Sequence, residues 1–149
     1  MRYTGAMKRY LLLAVVLIAV TAGLAQAERM TVDVPVANVR SGPGAKYDVI
    51  WKVEKYHPVM IVKKSGAWYR IRDFERDEGW IHKSLLDGRP AVITSKDKCN
   101  VRSGPGTRHA VVFTVEKGVP FKVLERKSEW IHVQHEDGDQ GWIHRSLVW

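Results

Sequence analysis

The sequence predicts an all-β protein made of two small barrels in tandem, placed after a removable leader. Three observations carry this prediction. The chain repeats itself at an offset of 62 residues without a gap, apolar and polar residues alternate with a period of two, and Gly and Pro punctuate the alternating segments. No window sustains the periodicity of an amphipathic helix.

The leader comes first. Arg2, Lys8 and Arg9 make a basic start, Leu11 to Val20 is an unbroken apolar run, and Ala25-Gln26-Ala27 supplies the small-x-small pattern that a signal peptidase accepts. An uncleaved anchor is the alternative, but a spanning helix needs about 20 apolar residues. This run is shorter and ends in small residues and Gln26. No Cys follows it, so a lipoprotein anchor has no attachment point. Residues 1–27 are therefore expected to be a cleaved signal peptide, with Met7 an alternative start, leaving no stable membrane anchor.

Cleavage after Ala27 leaves 122 residues. Loss of Arg2, Lys8 and Arg9 takes the net charge from +8 to +5, with 21 basic against 16 acidic side chains. Both signs are interspersed, and no basic run exceeds Lys63-Lys64 in length. Nucleic-acid binders gather their charge on one face or arm, so nucleic acid is not an expected partner.

The repeat then organises the rest. Asn38-Val-Arg-Ser-Gly-Pro-Gly44 returns as Asn100-Val-Arg-Ser-Gly-Pro-Gly106, and Gly79-Trp-Ile-His82 returns as Gly141-Trp-Ile-His144. Trp68 returns as Trp130, and Pro58 as Pro120. Units of this length are too long for a solenoid and long enough to fold alone. The reading is one domain over 28–87, a linker over 88–92 (Gly-Arg-Pro-Ala-Val), and a second domain over 93–149.

Inside each unit the alternation marks half-buried strands. Val59 and Ile61 share a face, as do Phe121 and Val123. Val49, Trp51 and Val53 share another, matched by Val111, Phe113 and Val115; this makes Trp51 a core residue. Tyr69 and Ile71, matched by Ile131 and Val133, form a third. Gly42-Pro43-Gly44-Ala45 has the composition of a type II turn with Gly44 at positive φ. Lys64-Ser65-Gly66 and Asp137-Gly138-Asp139 read as hairpin turns, and the charged runs 72–78 and 134–140 as solvated hairpin loops. Several short strands with tight turns close best into a small barrel, which leaves no long open edge.

The repeated seven-residue motif, a mid-unit Trp, and Gly-Trp-Ile-x-x-x-x-Leu at the end of each unit resemble the bacterial SH3 domain. The resemblance covers essentially all of the expected mature chain, twice in register. It implies SH3-like β-barrels of exported proteins, often attached to cell-wall hydrolases as targeting modules, with cell-wall peptide as ligand. No catalytic domain is expected beside the pair, so the targeting role is expected to lose its cargo. The acidic loop and proline-reading signature of eukaryotic SH3 domains are missing, so proline-rich ligands are not implied.

Alternation also proposes a site. With Tyr69, Ile71 and Ile81 inward, Trp68, Arg70, Trp80 and His82 face outward, and so do Trp130, His132, Trp142 and His144. Exposed Trp beside polar groups suits a binding surface. Alternatively, the indoles cap the barrel with their N–H in water, a reading open above all for Trp80 and Trp142. His82 and His144 lack the further ligands that a zinc site needs, and neither charged loop has calcium-loop spacing, so no metal or cofactor is expected.

Cys99 is matched by Ala37, so its site is small and internal and its thiol is expected to be inert. No paired carboxylates, phosphate loop or serine elbow appears, and the chain is expected not to be an enzyme. The sequence thus points to a periplasmic or extracellular binding module for cell-wall peptidoglycan, by peptide or glycan. The alternative is an envelope protein-protein interaction or assembly module without wall affinity.

Overall fold

The computed structural model describes residues 27–149, so the expected signal peptide and its cleavage lie outside the described residues. The first unit contains β1 (Glu28–Val32), β2 (Val36–Arg40), β3 (Val49–Glu54), β4 (Pro58–Ser65), β5 (Trp68–Arg72), β6 (Glu78–His82) and β7 (Leu86–Asp87). The second contains β8 (Ala91–Ile93), β9 (Cys99–Arg102), β10 (Val111–Val115), β11 (Pro120–Lys127), β12 (Trp130–Gln134) and β13 (Gln140–His144). Pairing is antiparallel throughout, in the orders β3-β2-β6-β5-β4-β1-β7 and β10-β9-β13-β12-β11-β8.

Each sheet curls around its own core. Val53 on the edge strand β3 and Leu86 on the opposite edge strand β7 belong to one buried cluster with Val39, Val59, Ile71 and Ile81. A flat sheet could not bring its two edges to one core. The second barrel repeats this with Cys99, Val101, Phe121, Ile131, Val133 and Ile143. Burying these side chains is the main favourable term in each small fold.

Bulges supply the curl and break the simple alternation. The register skips Ile50 opposite Val39 and Arg40, and Val112 opposite Val101 and Arg102. It skips Val62 and Leu124 at the matching turns of β4 and β11. A bulge bends its strand and shifts the facing of the residues beyond it. All four skipped residues are exposed, and so are Val49 and Val111, which alternation had placed on the core face. Trp51 correspondingly is only half-buried against the core, with a buried Nε1–H that has no partner among the described residues.

Two loop readings also change. Gly44 is not at positive φ, and its N–H donates to the Gly42 carbonyl at 2.9 Å. The turn is a three-residue one centred on Pro43, whose ring fixes the φ it needs. Gly42 is required for another reason: a Cβ there would lie 2.4 Å from the Tyr47 ring, and one on Gly104 would lie 2.5 Å from the His109 ring. Arg40 pins the same loop by donating to the carbonyls of Ala45 and Tyr47, as Arg102 does to those of Thr107 and His109. The run 72–78 is more than a solvated loop. Asp73 is buried, and its Oδ1 accepts the N–H groups of Glu75 and Asp77 at 2.9 Å. Glu78 is clamped by Arg72 and Arg70, and these contacts hold its carboxyl below the ordinary value.

Among the described residues, three other than Gly lie in the left-handed region: Tyr56 at φ 69°, Arg76 at 70° and Ser128 at 53°. Each is matched across the repeat by a left-handed Gly: Gly118, Gly138 and Gly66. The conformation belongs to the turn, and one copy meets it without the steric cost. Tyr56 has packing to lose, but Arg76 and Ser128 are exposed. Arg76→Gly and Ser128→Gly are each expected to stabilise their own barrel by about 0.5–1 kcal/mol, measured by chemical denaturation. Unchanged or lowered midpoints would refute this.

His57 distinguishes the first barrel. Its ring is buried, lies 6.0 Å from Phe74, and is matched in the second barrel by Val119. Burial holds its pKa below the ordinary 6.5, against weaker upward pulls from Asp73 and the Pro58 carbonyl. The unfolded chain therefore takes up this proton more readily than the folded one. The stability His57 contributes is complete above about pH 6.5 and is lost as pH falls through that value towards the folded pKa. His57→Val is expected to flatten this part of the first barrel's acid loss between pH 7.5 and 5. Denaturation at the two pH values, followed on first-barrel amides, checks it; an undiminished pH dependence contradicts it.

The barrels meet where the repeat diverges. The connecting segment is Gly88–Pro90 only, because Ala91 and Val92, expected in the linker, are buried residues of β8. Arg29 donates to the Ala91 carbonyl at 3.1 Å and lies 4.2 Å from the centre of the Trp149 ring. Thr31 Oγ1 donates to the Arg89 carbonyl at 2.7 Å, and Arg89 pairs with Asp33 and Asp87. Lys122 approaches the Tyr56 ring from the second barrel. Arg29 and Tyr56 correspond to Ala91 and Gly118, which carry no such side chains.

Candidate ligand-binding face

Strand pairing brings the predicted site residues together in each barrel. Trp68 stands opposite His82 and Arg70 opposite Trp80 on β5 and β6; Trp130 stands opposite His144 and His132 opposite Trp142 on β12 and β13. Since side chains alternate along a strand, each set of four shares one face. Trp68 meets His82 edge-on at 5.2 Å, and Trp130 meets His144 at the same distance.

The eight residues do not share one role. Trp142 is 9% exposed and covered by the His132 ring, stacked at 4.7 Å and 8°. Alternation leaves it open between ligand contact and capping; in the structure it is packed, because a flat imidazole stands opposite it where the first barrel has Arg70. Arg70 is held by Glu78 at 2.8 Å, and Trp80 remains half-buried.

The two histidines are anchored as turn caps. His82 Nδ1 accepts the Ser84 N–H at 3.2 Å and lies 2.7 Å from the Ser84 hydroxyl, at the start of the 3₁₀ turn Lys83–Leu85. His144 and Ser146 repeat this at Arg145–Leu147. The capping bond fixes each ring, which in turn props its Trp, and places the neutral ring's proton on Nε2.

Next to this face the second barrel has a groove of about 250 Å³, lined by Lys98, Asn100, Arg102, Trp130, His144 and Leu147 among others. Trp130 and His144 were expected there. Lys98, Asn100 and Arg102 were not. Their signal lies in the alternation of this strand: with Cys99 and Val101 fully buried, Asn100 between them and Lys98 and Arg102 on either side must point outward. Arg102 reaches the face because β9 pairs with β13 at Trp142. A larger cleft of about 450 Å³ lies at the junction, lined by Gly88–Pro90 and Lys122–Leu124 among others, without an aromatic ring.

Cys99 is fully buried, and burial pushes its thiol up, the direction opposite to nucleophile activation. His132 stacks on Trp142, while His135 sits against Phe121 and Asp137, so these two imidazoles serve different neighbours.

The family model described as bacterial SH3 domain matches residues 33–88 and again 95–149. The chain belongs to the bacterial SH3 domain family. Both matches coincide with the two barrels, so the tandem SH3-like fold read from the repeat is the fold observed. Over 122 residues the tandem bacterial SH3 chain is 30% identical to the putative N-acetylmuramoyl-L-alanine amidase YrvJ of Bacillus subtilis, covering 74% of this chain and 23% of that protein. Over 61 residues it is 36% identical to the probable cell wall amidase LytH of Staphylococcus epidermidis, covering 40% of this chain and 21% of that one. The chain thus spans less than a quarter of either relative. Among solved structures, NlpC1 from Trichomonas vaginalis aligns over 86% of this chain and 47% of its own, at 11% identity and a TM-score of 0.39.

Proposed function

We propose that the two bacterial SH3 domains form a non-catalytic binding module of the cell envelope that holds cell-wall peptide or glycan at the tryptophan faces. The observation that carries this reading is the groove of the second barrel. There an indole, a propped imidazole and several hydrogen-bond donors line one concave surface. An aromatic wall beside convergent donors suits a ligand with both apolar and amide or hydroxyl groups. The amidase names of the relatives support the choice of the wall as the source of that ligand. The buried Cys99 thiol supports a binding role over a catalytic one.

A second reading has its own support. Edge strands β3 and β10 carry the exposed pairs Val49-Ile50 and Val111-Val112, and an apolar sheet edge can accept a strand from a partner protein. Sedimentation of the protein with purified insoluble cell wall, beside capture from soluble envelope extract, separates the two. Retention on the wall is expected; retention only of soluble protein partners would favour the second reading.

A further inference from the structure

The residues that line the second barrel's groove have counterparts in the first barrel that differ from them at one charge. In the second barrel Lys98, Asn100 and Arg102 project outward beside Trp130 and His144. The matching residues of the first barrel are Val36, Asn38 and Arg40 beside Trp68 and His82. Val36 is 59% exposed, an apolar side chain in water where the second barrel places an ammonium group.

Several cations among the described residues have a carboxylate. Lys64 pairs with Glu28, Arg70 and Arg72 with Glu78, Arg89 with Asp33 and Asp87, and Arg145 with Glu129. Lys98 and Arg102 form no ion pair among the described residues, although both line a concave surface. Arg102 spends one nitrogen on the carbonyls of Thr107 and His109 and keeps its charge uncompensated. The His144 Nε2–H, left over from the capping bond, and the Asn100 amide add donors to the same wall. Two free cations and two neutral donors around an indole are complementary to a carboxylate on a small apolar residue.

From this juxtaposition we infer that the two grooves are not equivalent: the second barrel selects a peptide's free carboxylate, Lys98 is the residue that sets the preference, and the first barrel lacks it. This rests on the reading of the tryptophan faces as ligand sites. The two barrels of one molecule then read different parts of a repeating ligand, one anionic and one neutral.

The test uses the whole 28–149 chain and two soluble probes, acetyl-alanyl-alanine as its free acid and as its C-terminal amide. The indole N–H resonances of Trp68 and Trp130 are followed by NMR during titration. The acid-over-amide preference at Trp130 is expected to exceed that at Trp68 by about fivefold, the size of one exposed charge contact. Lys98→Val is expected to reduce the Trp130 preference to the Trp68 value, and Val36→Lys to raise the Trp68 preference to match Trp130. Both positions are exposed, so neither variant threatens the fold. Equal preferences at the two tryptophans, or preferences unmoved by the exchanges, overturn the inference. Sedimentation with insoluble cell wall is run in parallel. Wall retention without an acid preference at Trp130 defeats this inference alone, whereas an acid preference without wall retention defeats the wall as the ligand's source.

Discussion

Phe121→Ala is expected to unfold the second barrel at ambient temperature while the first stays folded. Phe121 is the largest fully buried side chain among the described residues, with its ring edge-on to His135 at 5.7 Å. Truncating a buried Phe costs about 3–5 kcal/mol, lost contacts and residual cavity together. A domain of this size has a few kcal/mol in total, so the loss is of the order of the whole. The matching residue in the first barrel is Val59, whose truncation removes less and should leave a weakened but folded domain. Amide spectra of the tandem chain give the readout. Dispersed first-barrel signals beside collapsed second-barrel ones are expected. Loss of both sets would mean that the Arg29–Trp149 and Thr31–Arg89 contacts make the two barrels one cooperative unit.

Trp130→Ala is expected to leave a folded protein that binds insoluble cell wall about 30-fold more weakly, the fold-change of a hot-spot tryptophan at about 2 kcal/mol. Trp130 is half-buried, lies outside the buried core cluster, and lines the groove. Trp142→Ala is the necessary contrast. That indole is buried beneath His132, and its removal should act on stability before it acts on binding. Thermal unfolding beside wall sedimentation, for both variants, separates the roles. If Trp130→Ala lowers the midpoint as much as Trp142→Ala does, the aromatic face is packing and the ligand site lies elsewhere.

Much of this fold was legible because its signals are local. Ile71, Ile81 and their repeats fall on the inward phase of short alternating strands, and the core clusters contain them. The tandem organisation was legible because two copies of one pattern sit at one offset. The bulges were not legible. Skipping Ile50, Val62, Val112 or Leu124 depends on the curvature each closed sheet needs, which no single strand encodes. That is why Val49 and Val111 were misplaced and why Trp51 seemed more central than it is. Within the site, strand phase correctly grouped Trp68, Arg70, Trp80 and His82. It could not show that His132 would lie flat on Trp142, because stacking depends on the cross-strand partner and on ring shape. Nor could it bring Lys98 and Arg102 to Trp130, since that contact joins strands about 30 residues apart through the β9–β13 pairing.

The clasp between Arg29 and Trp149 carries a topological consequence. Glu28 opens the first strand of the described fold and Trp149 is the last residue of the second barrel, so a side-chain contact joins the two ends of the tandem. A circular permutant that joins residue 149 to residue 28 by a short Gly-rich bridge, reopened at the exposed Gly66 hairpin, should keep both barrels folded. The tandem is a loop closed by a side-chain clasp.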